Sequence, residues 1–369
     1  MTQQKTHLNL RIPGPTPVPD DILQAVAHPM VNHRGKEFAG IIERIAAKLK
    51  DFFVTTHDVM VLSCSGTGGL EAAVVNTLSP GDKVLAVTIG AFGERLATIA
   101  EVYGAQVTAL PYDWGQVARA DDVRKALKDD SEIKAVLITH NETSTGVTNP
   151  LAQIAEVVRE FDKLLIVDAV SSLGAIPCET DAWGLDCVVT GSQKGWMVPP
   201  GLAFACLSDR GWKAYEQARM PRFYFDLGKH RDAQAKGQTP FTPAMPIFFG
   251  LDIALERMAL EGMEAIFTRH KKAGALTRDG VKSLGLELLC QDERCASDTV
   301  TAVKCPEGID VSKLRSLMED EYNTVLAGGQ GKLSGKIFRI GHLGLVSDHD
   351  IKETLGALGE ALRSLGYKS

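Results

Sequence analysis

Lys194 and Asp168 each stand at the end of an apolar run. The stretch Val188-Val189-Thr190-Gly191-Ser192-Gln193-Lys194-Gly195-Trp196 closes a β-branched segment and presents a lysine beside a glycine. Earlier, Leu164-Leu165-Ile166-Val167 ends in Asp168. A lysine amine condenses with an aldehyde to form a Schiff base, and a carboxylate keeps a pyridinium nitrogen protonated. Those are the two poles of a pyridoxal ring, so this pair makes the candidate catalytic residues. Taken alone, Asp168 is either a helix cap or a buried charge with a cationic partner. The pairing with Lys194 favours the second reading.

Other stretches carry groups suited to binding. Ser63-Cys64-Ser65-Gly66-Thr67-Gly68-Gly69 lies between an expected strand and an expected helix. Glycines let backbone N–H groups turn towards an anion, and a helix N-terminus adds partial positive charge, so a phosphate fits. A tight strand-to-helix turn has the same composition. The dinucleotide fingerprint fails because Glu71 occupies its third glycine position, and no G-x-x-x-x-G-K-[ST] occurs. Phe92 follows Ile89-Gly90-Ala91 and could stack on a flat ring, although a lone phenylalanine more often fills a core. Thr139-His140-Asn141-Glu142-Thr143-Ser144-Thr145-Gly146 is dense in hydrogen-bonding groups at a strand end, where open α/β sheets bind ligands. Thr143 could reach the ring there, and His140 reads as a structural histidine. Arg339, in Lys336-Ile337-Phe338-Arg339-Ile340-Gly341-His342, sits inside an expected strand. Its fork suits a carboxylate, and a structural salt bridge fits the same spacing.

The elements that must hold these residues alternate. Strands are expected at 59–62, 84–87, 106–110, 135–139, 164–168, 188–191 and 202–207. Helices are expected from Asp20, capped by Asp20 or Asp21, and over 37–53, 70–78, 95–103, 121–127 and 151–161. Short apolar strands between helices predict an α/β fold with a mostly parallel central sheet covered on both faces. After about residue 250 come helices at 251–260 and 264–284, strands at 299–304 and 337–340, and an amphipathic helix over 348–365. These read as a smaller C-terminal α+β domain. The division is an extended, proline-stiffened arm over 1–20, a large domain over 21–255 and a small domain over 256–369.

A net charge of −6 without a basic cluster argues against nucleic acid. No apolar run reaches the roughly 20 residues of a membrane span. The first residues lack an apolar signal core, which favours a cytoplasmic location. The cysteines (64, 178, 187, 206, 290, 295 and 305) are odd in number with no C-x-x-C, so neither a disulfide framework nor a zinc site is expected.

Taken in order, these motifs resemble the class V aminotransferases of the fold-type I pyridoxal phosphate enzymes. The chain looks closest to the alanine–glyoxylate and serine–glyoxylate (serine–pyruvate) aminotransferases. The resemblance runs from Pro13-Gly14-Pro15-Thr16-Pro17 through Ser65-Gly66-Thr67-Gly68, Thr139–Gly146, Val167–Gly174 and Gly191–Gly195 to Phe338-Arg339-Ile340-Gly341. It implies pyridoxal 5'-phosphate linked to Lys194, with Asp168 on the ring nitrogen and Phe92 stacked. Thr67, Gly68 and Gln193 would hold the phosphate, with Gly69 also among the cofactor-binding positions. Thr143 would touch the ring hydroxyl region. Arg339 would clamp the substrate carboxylate, and the backbone near Gly14 would border its pocket. The family is dimeric, so Thr239 and Thr242, in Gln238-Thr239-Pro240-Phe241-Thr242-Pro243, would reach the neighbour's phosphate. Phe92 stands where tryptophan is common, Gly69 where some members have histidine, and Thr239 near where some have tyrosine.

The implied reaction is ping-pong transamination between alanine or serine and glyoxylate or pyruvate, through pyridoxamine phosphate. The rivals are phosphoserine transamination, cysteine desulfuration and a non-catalytic subunit that keeps the fold. The segment 326–335 carries no cysteine for desulfuration, and no extra cations can be assigned to a substrate phosphate.

Overall fold

The computed structural model describes residues 8–367. Its large sheet has seven strands in the order Val59–Leu62, Ala203–Leu207, Cys187–Gly191, Leu164–Asp168, Ala135–Thr139, Lys83–Thr88 and Gln106–Pro111. Only Ala203–Leu207 runs against the rest. Its central strands are buried almost without interruption, because helices cover both faces. The edge strand Gln106–Pro111 has no fully buried residue, only half-buried Val107 and Leu110 among exposed ones. The carboxyl ends of four parallel strands deliver Ser65, Phe92, Thr139 and the Lys194 turn to one side of the sheet.

The second sheet has four strands, Asn9–Arg11, Thr324–Gly328, Ile337–Gly341 and Val300–Lys304 in that order. The expected arm therefore contains a strand. Asn9–Arg11 runs parallel to Thr324–Leu326, and residues 1–7 of the arm lie outside the described residues. The expected division at 255/256 falls inside the helix Met245–Glu261, whose neighbour Met263–Ser283 starts after Gly262. Among the described residues no helix is long and apolar enough to cross a membrane.

Several expected boundaries move for local reasons. Asp20 and Asp21 do not cap the first helix. Pro19 holds the cap position, and both acids lie in the first turn, where negative charge meets the helix dipole. The glycine-rich stretch is not a loop ahead of a helix at 70. Ser65 is the N-cap, and Gly66–Gly69 form the first turn of Gly66–Thr77. Phe92 likewise sits in the first turn of Ala91–Val102. The helices Asp209–Gln217, Leu227–Gln234 and Val311–Tyr322 and the strand Thr324–Gly328 have no counterpart in the sequence reading.

Gly69 is a point of close approach between helix and sheet. A Cβ there would lie 2.7 Å from Val189 Cγ1 and 2.9 Å from Ala203 Cβ. Helix propensity alone would make Gly69→Ala stabilising by about 1 kcal/mol. Overpacking against two buried strands costs about 1–3 kcal/mol and should win. Urea denaturation should therefore give a net loss of stability for Gly69→Ala. A gain would mean that the sheet yields to the methyl group.

Candidate active site

The lysine-bearing turn is anchored before it is functional. Trp196 is fully buried, edge-on to Phe204 at 5.2 Å and stacked on Phe53 at 6.2 Å. Its indole N–H donates to Thr190 Oγ1 at 3.2 Å, tying the turn to the strand before it. From the other side the N-terminal segment folds over the turn. The Thr16 amide donates to the Gln193 carbonyl, and the Thr16 hydroxyl donates to that of Lys194, both at 3.1 Å. Lys194 Nζ donates to the Pro13 carbonyl at 2.6 Å. Gly14 has φ of +135°, and a Cβ on it would fall 2.6 Å from Lys194 Nζ. Only glycine lets the backbone cross the amine so closely.

Burial pushes the Lys194 ammonium down to about 8. The charges of Arg339 and Arg95 add to the fall, and Asp168 opposes it. Asp168 is buried at the end of its strand, where it accepts from the Val170 amide at 2.9 Å and the Thr139 hydroxyl at 3.3 Å. Burial pushes it up to about 6, and the nearby Glu142 carboxylate adds to the rise.

Arg339 is 5% exposed and faces the same region from the second sheet. Its Nε donates to the Gly328 carbonyl at 2.9 Å and its Nη1 to the Thr143 carbonyl at 3.1 Å. No carboxylate of the described residues pairs with it, so the structural salt bridge weighed from sequence is absent among them. Burial brings the guanidinium down to about 10, with the Glu142 charge pulling the other way.

The remaining candidates fall into three groups. Thr143 is buried and donates to Ser171 Oγ at 2.8 Å, and Ser171 donates in turn to the Asn141 carbonyl. Phe92 is half-buried rather than part of the core, with Arg95 4.7 Å from its ring centre. Gln193 carries a buried Oε1 with no partner among the described residues. Thr67 and Gly68 lie in the first turn of Gly66–Thr77, with Gly68 N 3.5 Å from Ser65 Oγ. The Gly69 amide is already spent on the Ser65 carbonyl, so Gly69 serves packing and turns no free N–H towards an anion. The Thr239 hydroxyl donates to the Phe241 carbonyl, while Thr242 is exposed. His140 is buried edge-on to Trp183, and burial pushes it down to about 4.

Glu142 escaped the sequence reading, although it lies in the stretch singled out for Thr143. It is fully buried and accepts from the amides of Phe92, Gly93 and Ser144 and from the Ser144 hydroxyl. It thereby caps the helix that carries Phe92. The available signal was a lone acid in a run of hydrogen-bonding residues at a strand end, which does not name the amides that it accepts from.

A family model described as aminotransferase class-V matches residues 20–337. The chain belongs to the class V aminotransferase family. Among relatives, it is 47% identical to the soluble hydrogenase 42 kDa subunit of Anabaena cylindrica, over 98% of this chain and 95% of that one. It is 39% identical to the L-aspartate–glyoxylate aminotransferase of Paracoccus denitrificans, over 91% and 86%. The crystal structure of an alanine–glyoxylate aminotransferase from Nostoc sp. superposes with a TM-score of 0.94 at 30% identity, over 98% and 97%. This is a fold-type I architecture, and class V aminotransferases typically use pyridoxal phosphate.

The neutral amine is the form that attacks an aldehyde. With its pKa near 8 instead of the usual 10.5, Lys194 should capture pyridoxal phosphate at a rate that rises with pH and levels off at roughly pH 9. Stopped-flow absorbance on cofactor-free protein measures this. A rate still climbing in proportion to hydroxide at about pH 10 would contradict the depressed pKa.

Proposed function

We propose that this class V aminotransferase moves an amino group from a small L-amino acid, alanine or serine, to glyoxylate or pyruvate. The reaction is ping-pong on pyridoxal 5'-phosphate. The observation that carries this reading is a buried lysine of lowered pKa beside two further buried groups, an acid and an arginine with no carboxylate partner among the described residues. Both aminotransferases named above also take glyoxylate as acceptor.

The residues present fit the cofactor. The Gly66–Thr77 helix N-terminus suits a phosphate, with Thr67, Gly68 and the NH2 donor of the Gln193 side-chain amide to add to it. Phe92 is open enough to cover a ring face, Asp168 suits the ring nitrogen, and Thr143 suits the ring oxygen. When bound, the cofactor supplies an aldehyde for amines and a ring that draws electrons from the adjoining carbon.

The chain's own groups do the rest. Lys194 with a pKa near 8 is about one-tenth neutral at pH 7, enough to accept an α-proton and return it. Asp168, with its pKa near 6, stays mostly anionic at neutral pH and holds a proton on the ring nitrogen. Arg339 binds the α-carboxylate of donor and acceptor alike, oriented by its two carbonyl bonds. Pro13, Gly14 and Thr16 close the site over the amine and border the substrate.

The reading includes a homodimer. Phe223 is 70% exposed, Tyr224 stacks on Phe241 at 5.1 Å, and Thr242 is exposed beside them. A second copy covering this aromatic face would bring Thr239 and Thr242 towards the neighbour's phosphate.

A second reading rests on one observation. The Anabaena relative is named a hydrogenase subunit, so a subunit role on the same fold is the alternative. The absorbance spectrum separates the two. A lysine-linked cofactor band that L-alanine or L-serine bleaches and glyoxylate restores supports transamination. L-Aspartate belongs in the same series, because Arg95 brings a second cation within electrostatic reach of Lys194. A band that no donor changes points to other chemistry, and no band after adding cofactor favours the subunit reading.

Lys194→Ala should lose the band and turnover while still binding the cofactor noncovalently, and full turnover by that variant would sink the assignment. Arg339→Ala should lower kcat/KM by about 2–4 kcal/mol, the size of a bidentate charge-assisted contact, mostly through KM.

A further inference from the structure

Arg11 stands out among the buried cations. It is 4% exposed, and its Nε is buried without a hydrogen-bond partner among the described residues. No carboxylate of the described residues lies within ion-pair distance of it. The Asp350 charge opposes the fall that burial imposes on the Arg11 pKa, and Asp350 Oδ2 is already taken by the amide and hydroxyl of Ser347 in a capping box. A buried guanidinium with neither an ion pair nor carbonyl acceptors is expensive, and Arg339 shows how the same chain satisfies one elsewhere.

Arg11 lines a cavity of about 1050 Å³ between the edge strand Asn9–Arg11 and the helix Asp348–Ser364. None of the residues assigned above to the cofactor or substrate lines it. Its helix side carries Asp350, Glu353 and Glu360. Glu353 is shared with the exposed His349 at 3.4 Å. A planar fork without an acceptor suits a carboxylate, whereas the acidic side repels a plain anion such as phosphate. A guest that satisfies both carries one negative and one positive group close together.

We infer that this cavity is a second ligand site, taking a free amino acid with its carboxylate on Arg11 and its ammonium against the acidic face of the helix. The site lies on the segment that continues into Pro13, whose carbonyl holds Lys194 Nζ. An occupant therefore sits two residues from the catalytic amine's own partner.

Titration calorimetry on the holoenzyme tests this, after borohydride reduction of its lysine–cofactor linkage to block the catalytic site. The probes are L-alanine and propionate, its counterpart without the ammonium. Three variants locate the heat: Arg11→Gln, Gly356→Leu and Arg339→Lys. Gly356 lies on the cavity wall, and a Cβ there meets nothing within 4 Å, so leucine fills the space without disturbing the core. That variant decides the matter if Arg11→Gln fails to fold.

The expected result is saturable L-alanine binding in wild type and Arg339→Lys, weakened about tenfold or more by Arg11→Gln and by Gly356→Leu. Propionate should bind about tenfold more weakly than L-alanine. The inference is overturned by no saturable heat up to roughly 10 mM probe. It is equally overturned by binding that only Arg339→Lys removes, by binding indifferent to the cavity variants, or by propionate binding as tightly as L-alanine. Failure of the transaminase reading would show separately and before any titration, as a cofactor band that no amino donor changes or as no band at all.

Discussion

Charge compensation in a dry layer is the constraint on which the site depends. Lys194, Arg339, Asp168 and Glu142 are each at least nine-tenths buried. None of the four could be kept there alone, since an isolated charge in the interior is strongly penalised. Glu142 opposes the fall in the Arg339 pKa and adds to the rise of Asp168, while Asp168 opposes the fall of Lys194. Asp168 and the Lys194 turn come from the large sheet, Glu142 from the short strand Asn141–Glu142 just beyond it and Arg339 from the second sheet, so the layer is complete only when the two sheets meet. Burial thus supplies both the lowered lysine pKa and the reason the tertiary arrangement must be kept.

Around that layer the chain places rigid supports. Trp196 wedges the lysine turn against Phe53 and Phe204, and Ser65 and Glu142 cap the two helices whose first turns face the site. These are packing and backbone-satisfaction devices, and they hold the chemistry in place without taking part in it. The relatives fit this view. The Nostoc structure keeps nearly the whole backbone at 30% identity, so the scaffold tolerates wide change in the residues that fill it. Its name and that of the Paracoccus protein share an acceptor and differ in the donor.

Much of this was legible in the sequence because the signals were local. Buried strands between helices produce uninterrupted apolar runs, and their carboxyl ends announced Lys194, Asp168 and the 139–146 segment. What was missed was encoded by partners far away in sequence. Glu142 is defined by the amides of Phe92 and Gly93, some fifty positions earlier, which no spacing rule within its own stretch reveals. Asn9–Arg11 is a three-residue strand held by its pairing with Thr324–Leu326, and Thr324–Gly328 is held between it and Ile337–Gly341, so neither short run carries enough pattern alone. Gly69 looked like part of an anion-binding loop because glycine serves open loops and tight packing alike. Only the nearness of Val189 and Ala203 distinguishes the two.

The strand Asn9–Arg11 is hydrogen-bonded to the second sheet at one end, and the residues just after it grip Lys194 at the other. Strand and clasp are separated by a single residue, Ile12, and a β-strand stretches hardly at all beyond its rise of about 3.3 Å per residue. The segment is therefore a taut tie rod with no slack. Any displacement of the second sheet relative to the first must either pull the Pro13 carbonyl from the amine or carry the lysine turn with it. Motion between the two sheets and the position of the Lys194 nitrogen are one mechanical coordinate in this chain.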